Sequence, residues 1–249
     1  MSDITKFLDS TYLKTPEQAG LSEEQTKRKV YDLTNEAIEN GFFEVMIRPQ
    51  FVKEIKEYLI SKNSEVKVGT VIGFHEGTAT INDKLEEAQK AIDDGVDELD
   101  FVINYPAFKL GQTDYVKEEF TKATSLALKN GKPVKWIIEI AALTDEEIAE
   151  ITSHINQWAT AEFPEDVQDI FVKSSTGFFK TEDGKPNGAT VEGIKIMLEN
   201  AGKLPVKAAG GVRTPEEALE MINLGVKRIG TSSAAVLAGK SKTSENSGY

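Results

Sequence analysis

Two lysines close apolar, strand-like stretches. One ends Asp169-Ile170-Phe171-Val172-Lys173 and runs into Ser174-Ser175-Thr176-Gly177; the other, Lys207, lies within Leu204-Pro205-Val206-Lys207-Ala208-Ala209-Gly210-Gly211. Lysine is almost never buried without a partner. A desolvated lysine, or one beside a second cation, loses its proton more readily and becomes a nucleophilic amine. The pair points to amine attack on a carbonyl, with Lys173 as nucleophile and Lys207 as the cation that tunes it. A lone strand lysine is more often half of a salt bridge. What favours chemistry is the recurrence: two lysines at the ends of consecutive strands, each followed by glycine and small residues. Asp9 and Asp100 also fall inside or at the ends of strand-like stretches, and Asp100 is either a working carboxylate or a structural acceptor for a neighbouring lysine. Lys135 and Glu139, four apart on one strand, read as a buried pair; Lys67 and Lys227, near strand starts, read as solvated.

The glycines and hydroxyls after these strands suit an anion. Gly210-Gly211 follows the Lys207 strand, and Gly230-Thr231-Ser232-Ser233 ends the next and opens a short helix. Backbone N–H groups and hydroxyls at such ends can cradle phosphate without a Walker-type sequence. The plain alternative is that the glycines only make tight turns.

These groups need a frame, and the chain supplies strands and helices in alternation. Strands are predicted over residues 6–11, 42–47, 66–73, 98–103, 134–140, 169–173, 204–209 and 227–232. Helices are predicted between them, several with marked ends: Ser22-Glu23-Glu24-Gln25 and Thr144-Asp145-Glu146-Glu147 are capping boxes, Thr214-Pro215-Glu216-Glu217 sets proline at the first helical position, and Gly41, Gly95, Gly131 and Gly225 are stops. Eight strand–helix units in 249 residues fit one closed (β/α)8 TIM barrel of α/β class, with the active site at the C-terminal ends of the strands. A single domain over 1–249 is expected, its last stretch, 239–249, a flexible polar tail.

Hydrophobic residues make up 39% and charged residues 28%, enough for a full core. A net charge of −12 disfavours nucleic acid and anionic membrane as partners. There is no cysteine, no apolar run of membrane-spanning length and no signal-peptide pattern at Met1-Ser2-Asp3-Ile4-Thr5, so a cytoplasmic location is expected. His75 and His154 are the only histidines and stand far apart, so no metal site is expected; no Gly-x-Gly-x-x-Gly follows a strand, so no dinucleotide cofactor is either.

Taken together, Asp9-Ser10-Thr11-Tyr12-Leu13-Lys14, Val71-Ile72-Gly73-Phe74, Glu98-Leu99-Asp100-Phe101-Val102-Ile103-Asn104, Phe171 through Phe178, Val206 through Thr214, and Gly230-Thr231-Ser232-Ser233 give the chain its likeness. Over nearly its whole length it resembles the deoxyribose-phosphate aldolases, class I (Schiff-base) aldolases. The resemblance implies a metal-free and cofactor-free TIM barrel that reversibly cleaves 2-deoxy-D-ribose 5-phosphate to acetaldehyde and D-glyceraldehyde 3-phosphate. It implies Lys173 as the Schiff-base lysine, Lys207 as the partner that depresses its pKa, and Asp100 as the carboxylate that relays protons with water. Gly177, Gly210, Gly211, Ser232 and Ser233 are implied as the phosphate cradle. Asp9, Thr11, Lys135 and Thr176 are implied as supporting polar groups. Tyr249, the last residue, stands where some members carry a tyrosine that assists proton transfer. The expected partners are a small phosphorylated sugar and aldehydes, with a homodimer as the assembly.

Four departures stand out: Ser10 where the family often has histidine, Met46 where many members have cysteine, a longer loop over 179–187, and an altered approach to the sixth strand over 162–167. The rival readings are a Schiff-base barrel aldolase with another donor, which donor exchange would separate, and a non-catalytic sugar-phosphate-binding barrel, which would fail reductive trapping.

Overall fold

Strand segments of four to six residues, rich in Val, Ile and Leu, alternate with capped amphipathic helices, and the sheet they build closes on itself. The computed structural model describes residues 4–182 and 184–241. Its strands are β1 (Leu8–Tyr12), β2 (Glu44–Ile47), β3 (Lys67–Ile72), β4 (Glu98–Val102), β5 (Val134–Ile137), β6 (Ile170–Lys173), β7 (Val206–Ala209) and β8 (Arg228–Thr231). Each pairs in parallel with the next, and β1 pairs with β8 through Leu8↔Ile229 and Asp9↔Gly230, giving a closed eight-stranded barrel. The surrounding helices are α1 (Pro16–Ala19), α2 (Glu23–Asn40), α3 (Val52–Ser61), α4 (Ile81–Asp93), α5 (Tyr105–Lys109), α6 (Thr113–Lys129), α7 (Asp145–Glu162), α8 (Val191–Asn200), α9 (Pro215–Leu224) and α10 (Ala234–Leu237).

The expected fold is the one found: a (β/α)8 barrel. The apolar core lies between strands and helices. Trp136 of β5 stacks on Phe101 of β4 at 5.2 Å and donates its indole N–H to Thr124 Oγ1 of α6. Capping boxes at Ser22, Thr144 and Thr214 open α2, α7 and α9. Two more, at Thr15 with Gln18 and Thr80 with Asp83, open α1 and α4; α1 and α5 were not anticipated.

The barrel interior is charged. Side chains alternate across a strand, and the register sets Asp9 opposite Glu44, Asp100 opposite Lys135, Lys173 opposite Lys207, and Lys207 opposite Arg228. These charges share one face of the sheet, and closure turns that face inward.

One expected pair does not form. β5 ends at Ile137, and Glu139 sits beyond it with φ +59 in the left-handed region. The turn breaks the alternation that would have aligned Glu139 with Lys135, and each finds other partners. The anticipated first strand also shifts: Thr5–Phe7 is a 3-10 turn, and β1 runs to Tyr12.

Candidate active site

β6 and β7 are neighbours, and register places their lysines side by side. Lys173 Nζ donates to Asp100 Oδ2 at 2.8 Å, and Lys207 Nζ donates to the same oxygen at 2.9 Å. Asp100 arrives from β4, and its other oxygen accepts from Lys135 Nζ of β5 at 2.7 Å. Three amines from three strands therefore converge on one carboxylate. Lys173 is only 1% exposed, and Asp100, Lys135 and Lys207 not at all.

Beneath them lies a continuous lattice of ion pairs. Lys207 also reaches Asp9 Oδ2 at 2.6 Å, and Lys135 reaches Glu98 at 2.6 Å. Arg228, near the start of β8, donates to Asp9 Oδ1 at 2.7 Å, to Glu44 at 3.1 Å and to Glu98 at 3.3 Å, with its guanidinium over the Phe43 ring at 3.6 Å. Buried charges survive only when paired and hydrogen-bonded, and this lattice meets that condition for every cation in it.

The electrostatics follow from the geometry. Burial pushes the Lys173 ammonium down, Asp100 pulls it back up, and Lys207 pushes it down again; the balance lies at about 8. Desolvation is thus the largest cause, with the neighbouring cation second to it among the lowering influences. Burial raises the Asp100 carboxyl, but Lys135, Lys173 and Lys207 outweigh it and hold it well below the carboxylate range. Asp9 is likewise raised by burial and pulled by Arg228, Lys207 and Lys135 to about 2. An ionised carboxylate against a lysine whose proton is loosely held can carry protons to and from an adduct on that lysine.

The other half of the upper interior is apolar. Leu13, Met46 and Val71 form a small cluster apart from the main core, joined by Phe74 and Phe178. Val71 lies opposite Asp100 in the sheet register.

The glycine loops come together at the same end of the barrel. Gly177, Gly210 and Gly211 have φ of +80, +69 and +78, conformations that favour glycine. A Cβ on Gly210 would meet the Cα atoms of Gly188 and Gly177 at 3.2 and 3.6 Å, so three backbone segments touch here. The 179–187 loop takes part: Asn187 Nδ2 donates to Gly177 O, and Ala189 N to Ala209 O and Gly210 O. Gly210 N donates to Gly230 O, which links this cluster to β8; Ser232 and Ser233 follow, half-buried, ahead of α10.

The supporting residues expected from sequence take definite places. Asp9 and Lys135 belong to the buried lattice. Thr11 Oγ1 donates to Asp9 O at 2.9 Å. Thr176 is committed to Glu139: its N–H donates to Glu139 Oε2 at 3.1 Å, and its hydroxyl makes a short bond to the same oxygen. Burial lifts the Glu139 carboxyl to about 7, against the pull of Thr176 and Lys173. Tyr249 lies outside the described residues. Sequence reasoning passed over Glu44, Glu98 and Arg228, and paired Glu139 with Lys135 where the structure gives it to Thr176. For the first three a signal existed: charges at alternate strand positions, such as Glu98 two before Asp100, face the same way as the residues singled out. Among the described residues no three histidine or carboxylate side chains are grouped as metal ligands.

Comparison with known proteins follows the same lines. A family model described as DeoC/LacD family aldolase matches residues 12–241. A deoxyribose-phosphate aldolase of Thermococcus gammatolerans is 41% identical over 244 residues, 98% of this chain and 98% of its own. One of Caldicellulosiruptor saccharolyticus is 40% identical over 238 residues, covering 94% of this chain and 96% of that one. Among solved structures, the aldolase QR15 superposes with TM-score 0.80 at 32% identity, covering 96% of each chain. A deoxyribose phosphate aldolase from Aeropyrum pernix, described as a unique tetramer, superposes with TM-score 0.76 at 29% identity over 95% of this chain and 89% of that one.

Proposed function

The chain belongs to the DeoC/LacD family of aldolases, and we propose that it reversibly cleaves 2-deoxy-D-ribose 5-phosphate to acetaldehyde and D-glyceraldehyde 3-phosphate through a Schiff base on Lys173. The observation that carries this reading is the shared oxygen: Lys173 and Lys207 both donate to Asp100 Oδ2 in a buried site. At an unperturbed value of ~10.4, about one lysine in ~2,500 is neutral at pH 7, whereas near 8 the neutral share is about one in ten. The Lys173 amine attacks the aldehyde carbonyl of the open-chain sugar. Loss of water gives a protonated imine, which draws electrons from the C2–C3 bond as the C3 hydroxyl gives up its proton. The bond breaks to an enamine instead of a free carbanion, glyceraldehyde 3-phosphate leaves, and protonation and hydrolysis release acetaldehyde. Asp100, with a water, moves the protons at the carbinolamine and enamine steps.

The convergent loops of Gly177, Gly210 and Gly211, with Ser232 and Ser233, are assigned to the phosphate, whose binding energy fixes the sugar against Lys173. Asp9, Thr11, Lys135 and Thr176 act by support: the first and third hold the lattice beneath the amines, and Thr176 holds the strand-six loop. Tyr249, at the end of the 239–249 tail, is assigned an assisting role in proton transfer, which deletion of that tail would test. The same reading takes 1–249 as one domain, without a resident metal or cofactor, in the cytoplasm; no described helix is long and apolar enough to cross a membrane. Self-association as a homodimer belongs to it too, and light scattering of the purified chain decides between one copy, two and more. The activity test is direct. Wild-type protein given 2-deoxy-D-ribose 5-phosphate should release acetaldehyde, and Lys173→Ala should release none while keeping its fold. Turnover by Lys173→Ala, or exchange with pyruvate or dihydroxyacetone in place of acetaldehyde, would overturn the reading.

A further inference from the structure

Glu44 is a carboxyl that the site does not explain. It lies on β2, below Met46, with no exposed surface. Every strand around it presents a neighbour. β1 brings Asp9, β4 Glu98, β5 Lys135 at 3.6 Å, β7 Lys207 at 3.8 Å and β8 Arg228 at 3.1 Å. Lys173 of β6 stands across Asp100. All of these cationic contacts fall on Glu44 Oε2. Its Oε1 is buried with no hydrogen-bond partner, in a niche against Gly69 of β3, where a Cβ would come within 2.3 Å of that oxygen. A carboxylate with one oxygen wholly desolvated and unpaired is costly, so the niche fits a neutral carboxylic acid. Burial accordingly raises the Glu44 carboxyl well above its ordinary value, against Lys135 and Arg228 and with the help of Glu98 and Asp9.

The lattice then has a charge count with a consequence. It contains four basic groups, Arg228, Lys135, Lys207 and Lys173, and four carboxyls, Asp9, Glu44, Glu98 and Asp100. With Lys173 as free amine and Glu44 as acid, three cations face three anions. With both ionised, four face four. The two states hold the same number of protons, and both are neutral. Resting on the assignment of Lys173 as the Schiff-base lysine, we propose that Glu44 stores the proton that imine formation consumes. The amine and the aldehyde first give a neutral carbinolamine. Its hydroxyl leaves as water only with an added proton, and the product is a cationic imine on Lys173. Lys207, which donates to Asp100 Oδ2 at 2.9 Å, first passes a proton to that ionised carboxylate; Asp100 hands it to the carbinolamine hydroxyl, and Lys207 takes its replacement from Glu44, whose Oε2 lies 3.8 Å away. The net change is Glu44 acid plus carbinolamine to Glu44 carboxylate plus imine plus water. The buried lattice goes from three pairs to four without gaining net charge, and solvent supplies no proton.

The test counts protons. Wild-type enzyme in weak buffer with an indicator dye, poised about one pH unit above the point at which Lys173 titrates so that about nine amines in ten are free, is mixed with acetaldehyde, and imine is counted by borohydride trapping at Lys173. The expected result is no net proton uptake by wild type and one proton taken up per imine by Glu44→Gln, whose amide cannot supply it. Uptake of one proton per imine by wild type overturns the proposal, and this arm needs no variant to fold. No uptake by folded Glu44→Gln also overturns it, because the proton then comes from elsewhere. If no imine forms on Lys173, the preceding assignment fails instead, so the two failures are distinct. A purely structural Glu44 would change stability and leave the proton count alone.

Discussion

Replacing Lys207 by leucine tests how much of Lys173's reactivity comes from its neighbour. Both Nζ atoms sit within 2.9 Å of one Asp100 oxygen, so they are no more than about 6 Å apart. At that separation, with an effective dielectric of ~20, two unit charges repel by ~3 kcal/mol. That corresponds to about two pKa units, since one unit is ~1.4 kcal/mol. Without Lys207, Asp100 Oδ2 is left to Lys173 alone while Oδ1 stays with Lys135, which acts in the same direction. Lys173 should therefore rise from about 8 to roughly 10. Its neutral fraction at pH 7 then falls from about one in ten to about one in a thousand, and imine formation slows ~100-fold. The deficit should shrink as pH rises and nearly vanish by about pH 10. The assay is the initial rate of borohydride-trapped adduct across that range. Because Lys207 also pairs with Asp9, its removal leaves carboxylates under-compensated at a cost of ~3–5 kcal/mol, and circular dichroism must show a folded variant first. A wild-type-to-variant ratio that stays constant with pH would refute the reasoning, because the lysine would then be acting by position alone.

Three further outcomes follow. Gly188→Ala puts a Cβ 2.5 Å from the Gly210 carbonyl carbon, so it should raise KM for the phosphorylated sugar about tenfold while leaving the non-phosphorylated sugar unchanged; equal losses on both would count against the phosphate assignment. Asp9, held at about 2 against an ordinary 3.8, adds ~2 kcal/mol of stability that is fully present above the unfolded value and lost as pH falls through the folded one. Chemical denaturation of wild type should weaken between roughly pH 4 and 2, and Asp9→Asn should lose that component. The second buried pair, Lys84 with Glu119, fastens the loops after β3 and β4 through Gly77 O, Val102 O and Asn104 N. Lys84→Met should cost ~3–5 kcal/mol, and adding Glu119→Leu should recover part of it in a thermal melt.

The sequence carried the frame and the centre of the site further than its margins. Alternation of capped helices with Val- and Ile-rich strands is local, so the barrel and the placement of Lys173, Lys207 and Asp100 on strands could be read directly. The capping box at Thr80 was harder because its third helical residue is Asp83 in place of glutamate or glutamine. Glu139 was misplaced because nothing in Trp136-Ile137-Ile138-Glu139 announces a left-handed residue, and a run of apolar residues reads as continuing strand. The lattice of Glu44, Glu98 and Arg228 depends on which face of each strand turns inward and on a closing register between β1 and β8. That is a long-range property, and only period-two spacing hints at it. The contact of the 179–187 loop with Gly210 is of the same kind.

The most direct test of the central claim is reductive trapping with 2-deoxy-D-ribose 5-phosphate and borohydride, followed by peptide mass mapping. Lys173 as a desolvated amine near neutrality predicts a stable adduct on the peptide that contains it and nowhere else. An adduct on Lys207 or Lys135, or none while acetaldehyde is still released, would contradict it.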